Sequence, residues 1–362
     1  MFLSYDTVEA FALKRNPAIN FPFLKENGEL LSISANSGFL VEPRALELYS
    51  DFYDNSLKFT QYYPQYYRFS LGIVNDLEAL GMQGDKARQI ADYVTEENFV
   101  MYDTSDSRRL ETLTMLECNG GLSQAYKNVL EDITHNVDGF IKNPHWFTKF
   151  NKPHFYDLTH ILFFLTDYGR KDLQLKHDVY PCLINMGLLA LLDNDADILS
   201  EICTCLSYIG ADIPDEWDQF LQNCYKDIRV TFGETIASAL NPTVDEYHIF
   251  FVMNWYEAMQ GRPAFREKFN EGTPTFSLPL ANESLLSKLS GYAHAHHFQR
   301  SRSGNTLLGF IAGLDDAELK MWNMIVGSSD LSENLIERLS GMSMPSDSQP
   351  PALKIVGKSF AA

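Results

Sequence analysis

Cysteine is scarce in this sequence, with five residues in 362. An odd and scattered set does not fit a disulfide framework of the kind that small secreted proteins use. Cys203 and Cys205 are two positions apart, which separates them by about 200° on a helix and argues against joint binding of one ion. We therefore expect reduced thiols that pack as small hydrophobic groups, and a cytoplasmic location.

Positive charge is also in short supply. The chain has 29 Lys and Arg against 48 Asp and Glu, which gives a net charge of -19. Because proteins bind nucleic acids and anionic membranes largely through basic side chains, this balance argues against both as partners. An acidic, well-solvated surface explains the same balance.

Long apolar runs are absent as well. The longest one, from Cys182 to Leu192, is too short to span a bilayer. Asp6 and Glu9 interrupt the N-terminal stretch, which therefore does not fit a signal peptide. The sequence lacks the motifs G-x-G-x-x-G and G-x-x-x-x-G-K-[ST], which argues against the common nucleotide-binding enzymes. It also lacks H-E-x-x-H, G-x-S-x-G and C-x-x-C.

Aromatic residues and helical periodicity are what the sequence does contain. There are 25 Phe and 18 Tyr, and 45% of residues are hydrophobic, enough for a large core. From Tyr67 onward the apolar spacing is helical and the connections are short, as between antiparallel neighbours. We therefore predict an all-α fold of stacked antiparallel helical hairpins, with an α/α toroid or a short superhelix as alternatives for its shape.

The expected organisation has three parts. Residues 1–60 show weak periodicity and are predicted to form an N-terminal arm. Residues 61–340 are predicted to form the helical body, with a motif-bearing core at 108–260. The Pro- and Ser-rich residues 341–362 are predicted to form a flexible tail.

The stretch HFYDLTHILFFLTDYGR, from His154 to Arg170, contains the strongest candidate site. At about 100° per residue, Asp157, His160 and Asp167 fall within roughly 80° of one another on an otherwise apolar helix. Buried polar groups need partners, and an Asp beside an imidazole is an arrangement that general bases and metal ligands use. The alternatives are a carboxylate at a helix start, a C-terminal turn and a satisfied core histidine.

His248, in the apolar segment EYHIFFVMNWYEAM, is the second candidate. It is again one imidazole on a mostly buried helix, and stacked hairpins could bring it opposite His160. A separately satisfied core histidine is the alternative.

Two further clusters have a weaker claim. A histidine group has an i, i+3 pair that could bind an ion, but it adjoins a polar and basic loop, so a solvated helix end explains it. An alternating acidic group matches neither D-D-x-x-D nor D-x-D-D, so it fits a helix stop followed by an N-cap. These two clusters are His294, His296 and His297, and Asp193, Asp195 and Asp197.

The stretch YDLTHILFFLTDYGR resembles the pattern Y-x-L-T-H-x-x-F-x-x-T-D-[FY]-G of an uncharacterised family of bacterial all-helical proteins. The segments RRLETLTMLECNGG and EYHIFFVMNWYEAM resemble the same family, so the likeness runs from about Arg108 to Met259. It implies a product of a biosynthetic gene cluster, with no established activity. The site candidates to which it points are Thr159, His160, Asp167 and His248.

Two functions fit these observations. The first is an enzyme of bacterial specialised metabolism that acts on a small molecule or peptide. In it, His160 is the general base or a metal ligand, and Asp157 or Asp167 orients the imidazole. His248 is a second base or ligand, the cofactor is unspecified, and a divalent metal is one alternative. The second function is a non-catalytic helical scaffold or binding protein for a peptide or carrier-protein partner, with the Tyr-rich stretch 62–67 as a contact patch.

Overall fold

The computed structural model describes residues 1–233, 245–269, 272–279, 283–297 and 309–326. In these residues the fold is all-α, as predicted, with only two small two-stranded sheets. The described residues fall into two compact units. The first unit takes its residues from 1–134 and 220–279, and the second takes them from 135–219 and 280–362.

The helices of the first unit are mostly short. In chain order they are α1 (Tyr5–Glu9), a π-helix (Ala10–Arg15), α2 (Phe21–Asn36), α3 (Pro43–Leu46), α4 (Ser50–Tyr62), α5 (Tyr67–Ala79), α6 (Lys86–Glu96), α7 (Phe99–Tyr102), α8 (Asp106–Cys118) and, later in the chain, α14 (Tyr247–Met259). Helix α2 packs on α5 and on α14, and α5 also packs on α6.

The two sheets are small. Strands β1 (Phe2–Leu3) and β2 (Leu40–Val41) pair in parallel, and β3 (Arg229–Gly233) and β4 (Thr273–Ser277) pair antiparallel. Strand β3 was not predicted from the sequence. The helix before it ends at Asp227, and the chain then pairs with β4.

Residues 1–60 differ from the predicted arm, since they form helices and fill the core of the first unit. Phe11, Leu24 and Leu30 are fully buried. The sequence did not predict these buried helices because buried polar residues interrupt the apolar pattern of α2. Those residues are satisfied within the unit: Glu26 accepts two hydrogen bonds from Arg15.

The second unit is built around three apolar helices. Its helices α10 (Lys152–Leu165), α11 (Lys176–Leu192) and α12 (Ala196–Tyr208) follow one another, and α12 packs on both α10 and α11. The consecutive helices α11 and α12 therefore pack as neighbours, as predicted, whereas α10 packs on α12, two helices later. The remaining helices described are α15 (Leu285–His297) and α16 (Asp316–Val326), while α9 (Gln124–Ile141) and α13 (Asp215–Asp227) each have residues in both units.

Four of the five cysteines are buried, as expected of small hydrophobic groups, and none of the five is in a disulfide. Within the described ranges, no helix is long and apolar enough to cross a membrane. The predicted tail over 341–362 lies outside the described residues.

Candidate functional site

Helix α10 carries the strongest candidate from the sequence. It begins after Asn151, whose side chain accepts a hydrogen bond from the main-chain N–H of His154. Leu158 and Leu162 are fully buried one turn apart. The apolar face fixes the helix in the unit, so its polar residues project from a rigid element.

The imidazole of His160 is held by the main chain. Its Nδ1 lies 2.7 Å from the carbonyl oxygen of Tyr156, one turn earlier. Because a carbonyl oxygen only accepts, Nδ1 must carry the proton, which leaves the lone pair of the neutral ring on Nε2. The sequence predicted that Asp157 or Asp167 would orient this ring, whereas the ring is oriented by the hydrogen bond that its Nδ1–H donates to the Tyr156 carbonyl.

Aromatic rings surround His160. The centroid of its ring lies 6.1 Å from that of Tyr156, 5.7 Å from that of Phe163 and 6.2 Å from that of Phe164. All three neighbours are on α10 itself, so the helix builds this environment locally. The imidazole is half-buried. It therefore has apolar walls around its ring and access to solvent.

Asp157 is a half-buried carboxylate with no hydrogen-bond partner among the described residues. Burial raises its pKa above the usual range, and the imidazoles of His154 and His160 act in the opposite direction. These histidines lie three positions before and after Asp157, so all three side chains follow one side of α10. The structure thus brings Asp157 and His160 together, as the sequence predicted.

A seam of polar contacts joins α10 to α12. Thr159 donates to Glu201 at 2.6 Å, and the Tyr156 hydroxyl donates to Asp197 at 2.6 Å. Glu201 is 2% exposed and Asp197 is 9% exposed, so these are interior contacts. Burial, and then the negative charge of Asp197, raise the pKa of Tyr156 far above its usual range and keep its hydroxyl a donor.

The third contact between α10 and α12 is an ion pair. The Lys152 ammonium lies 2.6 Å from a carboxylate oxygen of Asp195. Asp195 is also the N-cap of α12 and accepts from the main-chain N–H of Ile198. Asp193 ends α11. The predicted helix stop followed by an N-cap at the acidic triplet is confirmed.

Sequence reasoning missed Glu201 on the α12 side of this seam. In the mostly apolar run ADILSEICTCLSYIG, Glu201 is a second acid one turn after Asp197, and that was the available signal. Its pairing with Thr159 could not be read from the sequence, because nothing local specifies which helix faces α12. Tyr156 was treated only as part of a motif, although both its carbonyl and its hydroxyl position other groups.

Asp167 lies in the turn that ends α10. Its φ is 49°, and the next two residues, Tyr168 and Gly169, also have positive φ values of 52° and 83°. The carboxylate of Asp167 lies 2.6 Å from a guanidinium nitrogen of Arg170. A Cβ on Gly169 would meet the ring of Tyr208 at 2.5 Å. The segment T-D-Y-G, residues 166–169, therefore forms a tight turn that ends α10.

His248 lies in the first turn of α14, in the first unit, whereas His160 belongs to the second unit. Its Nε2 lies 4.0 Å from an oxygen of Glu29. Nearby, the buried Arg15 lies 2.5 Å from Asp245 and donates to the carbonyl of Pro274 at 2.6 Å. These contacts anchor the start of α14 within its own unit.

The weaker histidine cluster falls partly outside the described side chains. His294 is exposed on α15, and the side chains of His296 and His297 are not among those described. Throughout the described part of the chain, no group of three or more His, Cys, Asp or Glu side chains is arranged to hold a metal ion.

Comparisons with known proteins place the chain in a family without assigning it an activity. No curated protein and no solved structure matches it. A family model described as "Domain of unknown function (DUF6902)" matches residues 4–340, which includes α10, α12 and α14. With nearly its whole length covered by that match, the chain belongs to this family.

Proposed function

We propose that the protein is an enzyme that uses His160 as a general base on a small molecule or peptide. The observation that carries the proposal is the hydrogen bond from Nδ1 to the Tyr156 carbonyl. It leaves Nε2 as the basic atom on a half-buried ring. General bases need such an oriented lone pair, and histidine supplies it near neutral pH.

The state of Asp157 supports the same proposal. Partial burial without a hydrogen bond destabilises the charged form of Asp157, and its pKa is raised for that reason. A side chain kept only for stability would be expected to have a partner. Groups that violate this expectation concentrate at functional sites, where activity is retained at the expense of stability.

Two of the other predicted site residues have structural contacts in this proposal. Thr159 supports the α10–α12 seam, and Asp167 shapes the turn that ends α10. His248 lies in the first unit, and its role as a second base or ligand stays a prediction. The setting proposed is bacterial specialised metabolism, from the family resemblance, and the cytoplasm, which suits five unbridged thiols.

Turnover by the wild type and by His160→Asn tests the catalytic role. The Asn amide can still donate to the Tyr156 carbonyl, but it has no basic nitrogen. Each protein is incubated with an extract of small metabolites and short peptides, and mass spectrometry follows consumption. We expect species that the wild type consumes and His160→Asn, at equal folded concentration, does not. Equal consumption by the two proteins would refute the proposal.

Elemental analysis tests the metal-dependent form of the same proposal. The wild type and His160→Ala are purified together and their metal content is compared. A near-stoichiometric metal in the wild type that is lost from His160→Ala would make His160 a ligand. The general-base proposal expects no metal difference between the two proteins.

An exposed aromatic patch in the first unit supports a second candidate, a scaffold or binding protein. Tyr62 is 70% exposed and Tyr63 is 49% exposed. Beside them Tyr66 contacts Phe21, whose ring also contacts Phe69. Exposed tyrosines are enriched in contact surfaces because each offers a large apolar area and a polar end.

Peptide selection tests this second candidate. A random peptide library is selected against the wild type and against Tyr62→Ser combined with Tyr63→Ser, both exposed positions whose change should leave the fold intact. Peptides that bind only the wild type would support a contact patch. An absence of selected peptides, or equal binding to both proteins, would refute it.

A further inference from the structure

The ligand chemistry of the α10 face follows from the charges that it presents. Asp157 occupies the middle of the row His154, Asp157, His160. Its carboxylate has an electrostatic interaction with each imidazole but forms no hydrogen bond with any described residue. At this position the protein thus presents a negative charge on carboxylate oxygens to which no described residue donates.

Both ends of this row are lined by aromatic rings. The ring of His154 lies 5.9 Å from that of Phe140 and 6.2 Å from that of Trp146, centroid to centroid. At the other end, the ring of His160 lies 6.2 Å from that of Phe164. A carboxylate with aromatic faces nearby is the combination that recognises organic cations.

Resting on the proposed function, we propose that the substrate carries a primary ammonium group that binds Asp157 and reaches Nε2 of His160. An ammonium has three donors on a compact centre, which suits acceptors spaced three residues apart on one helix. The Nε2 lone pair of His160 is one such acceptor. The Asp157 carboxylate supplies the opposite charge.

Other ligand classes fit this face less well. An anion would lie against the Asp157 carboxylate, and the one Lys or Arg side chain of α10, Lys152, is engaged by Asp195. A quaternary ammonium has charge but no N–H donor, so it would leave the acceptors of Asp157 and His160 unfilled. A primary ammonium satisfies both the charge and the hydrogen-bonding capacity.

Binding of propylammonium chloride is the direct test. Histidine ring resonances of the full chain are followed by NMR, with His160 assigned from His160→Asn and ionic strength held constant with NaCl. We expect saturable shifts at His160 and His154 with a dissociation constant on the order of millimolar, as suits so small a probe. Tetramethylammonium chloride should bind at least several-fold more weakly, and sodium butyrate should not bind.

The controls are two Asp→Asn variants. Asp157→Asn should abolish the propylammonium shifts, while Asp132→Asn, an exposed carboxylate on α9, should leave them unchanged. The proposal is overturned if the shifts survive in Asp157→Asn, if propylammonium gives no saturable shift, or if Zn²⁺ binds this row and propylammonium does not. Metabolite turnover that depends on His160 without propylammonium binding would refute the ligand class alone and leave the proposed function standing.

Discussion

At the scale of single residues, α10 carries two kinds of polar side chain: those that form hydrogen bonds to α12, and those that do not. Thr159 and Tyr156 donate to buried carboxylates on α12, so their polarity has a structural use. Asp157 has no such use, and His160 is bonded on only one side. The sequence predicted His160 and Asp157 because polar groups stand out on an apolar helix.

Replacing Asp157 by Asn is expected to raise the free energy of unfolding at pH 7. Burial raises the pKa of Asp157 in the folded state, so ionisation penalises folding above that pKa. The penalty disappears below the unfolded-state pKa of about 3.9. Urea unfolding between pH 3 and pH 8 should therefore show a gain for Asp157→Asn that fades towards acid pH. A loss of stability at pH 7 would mean that Asp157 has a structural partner.

Thr159→Val should destabilise the protein by about 1–3 kcal/mol, because the buried Glu201 loses a donor at nearly constant side-chain volume. Thr159→Ser retains the hydroxyl and is expected to lose less. Chemical denaturation of both variants measures the difference. A loss from Thr159→Val no larger than that from Thr159→Ser would argue against a stabilising hydrogen bond to Glu201.

At the scale of helices and strands, local patterns located most helices but not their partners. Helix α5 is confirmed over Tyr67–Ala79, where Ile73 and Leu77 are buried at helical spacing. Strand β3 was missed because its pairing depends on β4, some 40 residues later in the chain. Residues 1–60 were misjudged because satisfied buried polar groups in α2 look like surface positions.

Gly187→Ala should destabilise the protein even though alanine is the better helix former. Propensity alone predicts a gain of about 1 kcal/mol in the middle of α11. However, a Cβ on Gly187 would lie 2.1 Å from the ring of Trp217, and overpacking costs about 1–3 kcal/mol. Gly139→Ala on α9 is the matched control, since nothing lies within 4 Å of its added Cβ. Thermal melts should move in opposite directions for the two variants, and a gain from Gly187→Ala would contradict the packing of α11 on Trp217.

At the scale of the whole molecule, helical periodicity and the apolar composition were the most informative features of the sequence. They predicted an all-α protein with a large core, and the described residues agree. They did not predict the division into two units, because each unit collects segments that are distant in the sequence. The family match, over residues 4–340, includes segments of both units.

The net charge of -19 predicts that added salt stabilises the protein. Excess negative charge repels itself more strongly in the compact state, and raising the ionic strength screens that repulsion. The urea midpoint at pH 7 should therefore rise between low and moderate NaCl concentrations. A falling midpoint would show that attractive ion pairs, such as that of Lys152 with Asp195, outweigh the net repulsion.

The tautomer of His160 tests the central claim most directly. Nitrogen-15 NMR of the wild type at pH 8, with His160→Asn to identify the signal, reports which ring nitrogen carries the proton. The hydrogen bond to the Tyr156 carbonyl predicts a proton on Nδ1 and a bare Nε2. A proton on Nε2 would remove the lone pair from the atom that faces the proposed ligand and contradict the role of His160 as a general base.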